Sequence, residues 1–143
     1  MTERVRAILT TPAGTTLLIK RVKPGIPAYW VLPGGGVEST DLDHEAALRR
    51  EIHEELAGQI KTPRLLHTLQ RGDDIEFFYL ADITTWSFDD RTGPEFSQEG
   101  RGEYLLEELP LTPEALRGIN LKPDAITEVI VSALHNGLIP AGT

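Results

Sequence analysis

The stretch that most limits what this chain can become runs from Pro33 to Gly58, PGGGVESTDLDHEAALRREIHEELAG. Three consecutive glycines permit positive φ angles and let the backbone approach another group with no Cβ in the way, so the segment opens as a turn. A helix follows: Asp43 is a good N-cap, Leu42 before it is placed to pack on Ala47 as a hydrophobic staple, and Glu45 suits the helix dipole. Gly58 supplies a left-handed stop, which predicts a helix over His44 to Ala57. Advancing about 100° per residue gathers Leu48, Ile52 and Leu56 on one apolar stripe and Glu51, Glu54 and Glu55 on the stripe beside it. Like charges at these spacings repel by about 0.2–0.5 kcal/mol per pair, so the helix invites a compensating cation. A divalent metal is the economical answer, and the small Ala47 within the acidic stripe leaves space for ions or phosphate. The competing reading is a solvated acidic face neutralised by Arg49, Arg50 and Lys61.

Composition narrows the chemistry. A chain of 143 residues, 40% of them apolar, has enough to bury a core, which predicts one domain over residues 1–143. The net charge of −8 argues against a sequence-independent grip on nucleic acid polymers, which needs lysine and arginine to displace counterions. The absence of cysteine rules out disulfides, thiolate metal sites and a thiol nucleophile. What remains is oxygen and imidazole, a donor set that suits hard cations such as magnesium. No signal segment or span of about 20 apolar residues is visible, so the expected address is the cytoplasm, away from membranes.

Along the chain, VRAIL and TTLLIK flank a TPAG turn and predict a hairpin between Arg4 and Ile19. Arg21 and Lys23 at its end are solvated gatekeepers or, in the sharper reading, holders of a substrate phosphate. KPGIPAYW is a surface loop feeding the short strand WVL, and Trp30 either stacks on a base or belongs to the core. The glycines that follow lack the lysine and serine or threonine of a phosphate loop and the spacing of a dinucleotide fingerprint. After the helix, IKTPRLLHTLQ and IEFFYLADI read as two strands about an RGDD turn, with Phe78 either lining a pocket or in the core. The polar loop TTWSFDDRTGPEFSQEGRGEY is where specificity is expected. EYLLEELP is a strand. Thr112 caps a short helix from Pro113 to about Arg117. An amphipathic helix entered through Pro123 and stopped at Gly137 should bury Ile126, Val129, Ile130, Ala133 and Leu134. Strands interleaved with such helices imply a sheet covered on both sides.

PGGGVE followed by AALRREIHEEL resembles the Nudix hydrolase family, whose box is glycine, five residues, glutamate, seven residues, then Arg-Glu-apolar-x-Glu-Glu. Arg50, Glu51, Ile52, Glu54 and Glu55 fill the last part without exception, and Gly34, Gly35 and Glu38 fit the glycine entry. Two positions depart: Leu42 stands where the family has glutamate, with Asp41 one residue early, and the glycine after the acidic pair falls at Ala57, with Gly58 one residue late. The resemblance implies an α/β/α sandwich with a mixed β-sheet and a magnesium-dependent pyrophosphohydrolase, with manganese as a substitute. Its substrate would be a nucleoside diphosphate linked to another moiety. Metal ligands would be Glu51, Glu54, Glu55 and the Gly35 carbonyl. Arg50 would hold a glutamate by ion pairing, and Glu54 is the first choice for general base. A further catalytic glutamate in the late loop would be Glu99, then Glu95. Substrate contacts fall on Arg21, Trp30, Gly34, Gly35 and Phe78. The alternative is a catalytically silent nucleotide-binding sensor or interaction domain, and a homodimer is left open.

Overall fold

The computed structural model describes residues 2–90 and 102–139. In chain order the elements are β1 (Thr2–Thr10), β2 (Thr15–Val22), β3 (Tyr29–Val31), β4 (Gly34–Gly36), α1 (His44–Leu56), β5 (Gln59–Arg71), β6 (Asp74–Thr85), β7 (Glu103–Pro110), α2 (Pro113–Arg117), β8 (Leu121–Lys122) and α3 (Ile126–His135). They divide into two units, one of Met1–Leu9 with Pro33–Gly93, the other of Thr10–Leu32 with Pro94–Thr143. No helix among the described residues is long and apolar enough to cross a membrane.

The first unit is built on a sheet of order β4-β1-β6-β5. Val5, Ala7, Ile8 and Leu9 are all fully buried, so successive residues of β1, which point to opposite faces, are both covered. A strand of that kind needs neighbours on both edges, and β1 takes them from β4 and β6. The expected hairpin of β1 with β2 therefore does not form. Thr11 and Gly14 do reverse the chain, with the Thr15 carbonyl accepting from Thr11 at 3.0 Å and Gly14 at φ 76°, but the two strands join different sheets. The second hairpin forms as expected: β5 and β6 run antiparallel from Arg71 opposite Asp74 outward. Gly72 at φ 60° is the first turn residue of a two-residue connection, the place where glycine is favoured in a hairpin.

The glycine run is a strand rather than a turn. Gly34, Gly35 and Gly36 pair antiparallel with Arg6, Val5 and Arg4 of β1. Helix α1 begins as the sequence predicts, with the Asp43 carboxylate accepting from the Ala46 amide at 2.7 Å. The staple is absent: Leu42 is 89% exposed. The stop also differs, since Ala57, not Gly58, is left-handed at φ 48° and ψ 38°, its amide bonding the His53 carbonyl at 2.9 Å. Gly58 is there for space, because a Cβ would come within 2.8 Å of Ile83 and 3.2 Å of the Thr85 carbonyl. A left-handed alanine costs about 1–2 kcal/mol, partly offset by the chain entropy that glycine would lose. Ala57→Gly should therefore stabilise the protein by about 0.5–1 kcal/mol, read as a higher urea midpoint with an unchanged slope.

The second unit carries a mixed sheet of order β7-β2-β3-β8: β2 is antiparallel to β7 and β3, and β3 is parallel to β8. Thr112 caps α2 through the Ala115 amide with Pro113 in the first turn, as the sequence indicates. Helix α3 buries Ile126, Ile130, Val131 and Ala133, leaving Val129 and Leu134 half-buried. It ends where expected: Gly137 at φ 74° and Leu138 return amides to the Leu134 and Ala133 carbonyls, the paired bonds of a Schellman motif.

Candidate active site

Helix α1 turns Ala47, Leu48, Ile52 and Leu56 into the core and takes two of its acids with them, Glu51 at 8% exposure and Glu55 at 6%. A solvated acidic face is thereby excluded for these two. Burying a carboxylate is costly unless it is paired or ligated, and strand β4 supplies the first partners. The Gly34 amide donates to Glu55 Oε1 at 2.6 Å. At Gly35, an added Cβ would lie 2.6 Å from the Glu51 carboxylate carbon, so the lack of a side chain is what lets the strand and the acid share this space. Ala47 is fully buried in the core, not an open berth for ions or phosphate.

The acids are gathered by Arg50. Its Nε and Nη2 donate to the two Asp41 oxygens, both at 2.9 Å, in a bidentate fork. Nη2 also donates to the Gly36 carbonyl at 3.0 Å, and Nη1 to Glu51 at 3.0 Å and Glu54 at 3.3 Å. Glu38 stands 3.6 Å from Nε. The Arg50 hydrogen bond, supported by the Glu38 amide at 2.8 Å, holds the Asp41 carboxyl down to a pKa of about 2, against the opposing effect of desolvation. Arg50 is correspondingly held in its charged form, first by Asp41 and then by Glu51. The acid one residue early is thus the one that meets Arg50, and Leu42 at the expected position faces solvent. Sequence spacing pointed to Asp41 only as a displaced acid; the neighbouring turn, in which the Asp41 amide bonds the Glu38 carbonyl at 3.0 Å, is what brings it in.

Gly34, Gly35, Arg50, Glu51, Glu54 and Glu55 come together in the first unit. Arg21 and Trp30 belong to the second. There the Arg21 guanidinium lies 3.7 Å over the Tyr104 ring, and the Trp30 indole N–H donates to Glu107 with Lys20 5.2 Å from its ring. Phe78 is completely buried and has no face to offer a substrate, so it is a core residue. Glu95 and Glu99 lie outside the described residues. Among the described residues no three His, Asp or Glu side chains stand arranged as a ready metal cluster. The Arg50 guanidinium reaches both Glu51 and Glu54. The donor set nevertheless fits a hard cation. Glu51, Glu54 and Glu55 offer carboxylate oxygens, the donor type that suits such a cation.

A glycine strand thus stands against an acidic helix whose carboxylates an arginine gathers, on an α/β fold. The family model for the NUDIX domain matches residues 2–124, and the chain belongs to the Nudix hydrolase family. The chain is 38% identical over 79 residues to the nucleoside triphosphatase NudI of Escherichia coli O139:H28, covering 55% of this chain and 43% of that protein. It is 37% identical over 94 residues to NudI of Salmonella heidelberg, covering 64% and 53%. The matched part is about half the length of these relatives. Among solved structures, a NUDIX hydrolase from Nitrosomonas europaea superposes with a TM-score of 0.71 at 14% identity, over 95% of this chain and 89% of that one. MutT from Aliivibrio salmonicida and Vibrio cholerae gives 0.65 at 17%, over 92% and 97%. These likenesses show the Nudix fold, α/β with a mixed sheet. Members of the family generally use divalent cations and act on small nucleotides.

Proposed function

We propose that residues 1–143 act as a single Nudix domain that hydrolyses a phosphoanhydride in a nucleoside diphosphate bearing a further group, with magnesium, or manganese in its place. Nucleoside triphosphates are the first class to test, since the NudI relatives are named nucleoside triphosphatases. The observation that carries the reading is the pair of buried carboxylates, Glu51 and Glu55, set against the side-chain-free strand β4.

In this reading Glu51, Glu54, Glu55 and the Gly35 carbonyl hold the metal. Bound there, the metal would lower the pKa of a water and neutralise charge on the phosphoryl oxygens. Gly34 serves by fixing Glu55 through its amide. Arg50 fixes the orientation of Glu51 and Glu54. Glu54, half-exposed on the helix, takes the proton of the attacking water as general base. Arg21 and Trp30 remain the substrate contacts of the second unit, and Glu99, then Glu95, the supplementary acid.

The test is release of phosphate or pyrophosphate from a panel of nucleoside triphosphates, nucleotide sugars, ADP-ribose and dinucleoside polyphosphates, with magnesium and with manganese. Metal-dependent turnover of at least one is expected. Binding without turnover across the panel would overturn hydrolysis in favour of a nucleotide sensor.

A further inference from the structure

In the second unit three cations of β2 and the loop after it lie against aromatic rings, and they do so unequally. Lys20 Nζ is 5.2 Å from the Trp30 ring and Lys23 Nζ 5.9 Å from that of Tyr29, inside the roughly 6 Å reach of a cation–π attraction. The guanidinium carbon of Arg21 is only 3.7 Å over the centre of the Tyr104 ring, in van der Waals contact with its face. Register brings this pair together. Arg21 stands opposite Tyr104 of β7 on one side and Tyr29 of β3 on the other, so the three side chains share one face of the sheet. Strand β7 also carries Glu103, Glu107 and Glu108, but these stand opposite Val22, Leu18 and Leu17. The residue in register with the arginine is the neutral ring.

We propose that Tyr104 is a positioning residue for substrate binding: its ring holds the Arg21 side chain at the sheet face, ready for the substrate phosphates. The inference rests on the reading of Arg21 as a substrate contact. A ring restrains a guanidinium differently from a carboxylate, because it attracts the cation without cancelling its charge. The charge that a phosphate needs is thereby kept. An arginine that is loose before binding loses rotamer freedom when it closes on an anion, and one already held on a ring loses less. Leucine at position 104 would keep an apolar side chain on the strand but remove the π face. Phenylalanine would keep the face and remove only the hydroxyl.

The experiment is a double-mutant cycle read by calorimetric titration with tripolyphosphate in excess magnesium, a probe that has the phosphate chain without a base. Tyr104→Leu should weaken binding by about tenfold, within the range for a half-buried contact between a cation and a ring. Tyr104→Phe should bind as the wild type does. In an Arg21→Gln background, where no guanidinium is left to hold, Tyr104→Leu should leave the affinity unaltered. Equal affinity in wild type and Tyr104→Leu would overturn the inference. So would an equal loss in both backgrounds, which is what a general loosening of β7 produces, or a Tyr104→Phe protein as weak as Tyr104→Leu, which would give the role to the hydroxyl. Arg21→Gln binding as tightly as wild type, or a wild type that does not bind the probe, would instead overturn the reading of Arg21 on which the inference stands.

Discussion

Glu54→Gln is expected to lower kcat by about 10²–10⁴-fold, the range that a positioned general base contributes, while the thermal midpoint stays at the wild-type value. The three helix acids are not equivalent. Glu51 and Glu55 are buried, and Glu55 is fixed by the Gly34 amide, whereas the Glu54 side chain keeps 31% of its surface exposed. A group that must meet a water and shed a proton has to be reachable and free to move slightly; Glu54 alone of the three combines reach with a loose link to Arg50. Glutamine keeps its shape and removes its basicity. Steady-state turnover at saturating metal measures the effect, and a wild-type kcat would take the role away from Glu54.

The largest loss of stability from adding a single methyl is expected at Gly34. A Cβ there would sit 2.8 Å from the Arg6 Cα and 2.9 Å from the Val5 carbonyl carbon, with the Val5 oxygen nearer still, all of them backbone of the strand that Gly34 pairs with. Its φ of 148° adds strain for any residue with a side chain. Neither difficulty can be relieved by rotating a side chain, so Gly34→Ala should cost about 3 kcal/mol, the upper end for overpacking. Gly36→Ala is the control, because a Cβ there meets nothing within 4 Å. Urea midpoints of the two variants give the comparison, and equal midpoints would contradict the pairing of β4 with β1.

The difference between those glycines also marks how far the sequence could be read. Three glycines in a row look alike as letters and signal a turn, yet one is excluded from carrying a side chain by a strand, one by a carboxylate, and one by nothing. Features set by near neighbours were legible: the Asp43 and Thr112 caps, the β5–β6 hairpin and the three-acid helix. Features set by distant partners were not. The β1–β2 hairpin did not form because both edges of β1 are taken by β4 and β6, and β2 pairs with β7 and β3 instead. Phe78 carries the same local signal whether it lines a pocket or fills a core, and only tertiary packing decided for the core. The ends of α1 failed by one residue each, Leu42 giving way to Asp41 and Gly58 to Ala57, because a turn can absorb a residue without moving the helix.

The hydrogen-bonding partners of Arg50 are close in sequence: Glu54 is 4 residues away, Asp41 9 and Gly36 14. Loop-closure entropy rises only slowly with length, so this cluster is inexpensive in chain freedom and is available as soon as α1 and its preceding turn exist. Bringing Arg4 alongside Gly36 and Arg6 alongside Gly34 closes a longer loop, at a modest further cost in chain entropy. The charged hub is thus built from local contacts, and the Gly34–Glu55 hydrogen bond ties the helix to the strand that β1 pairs with.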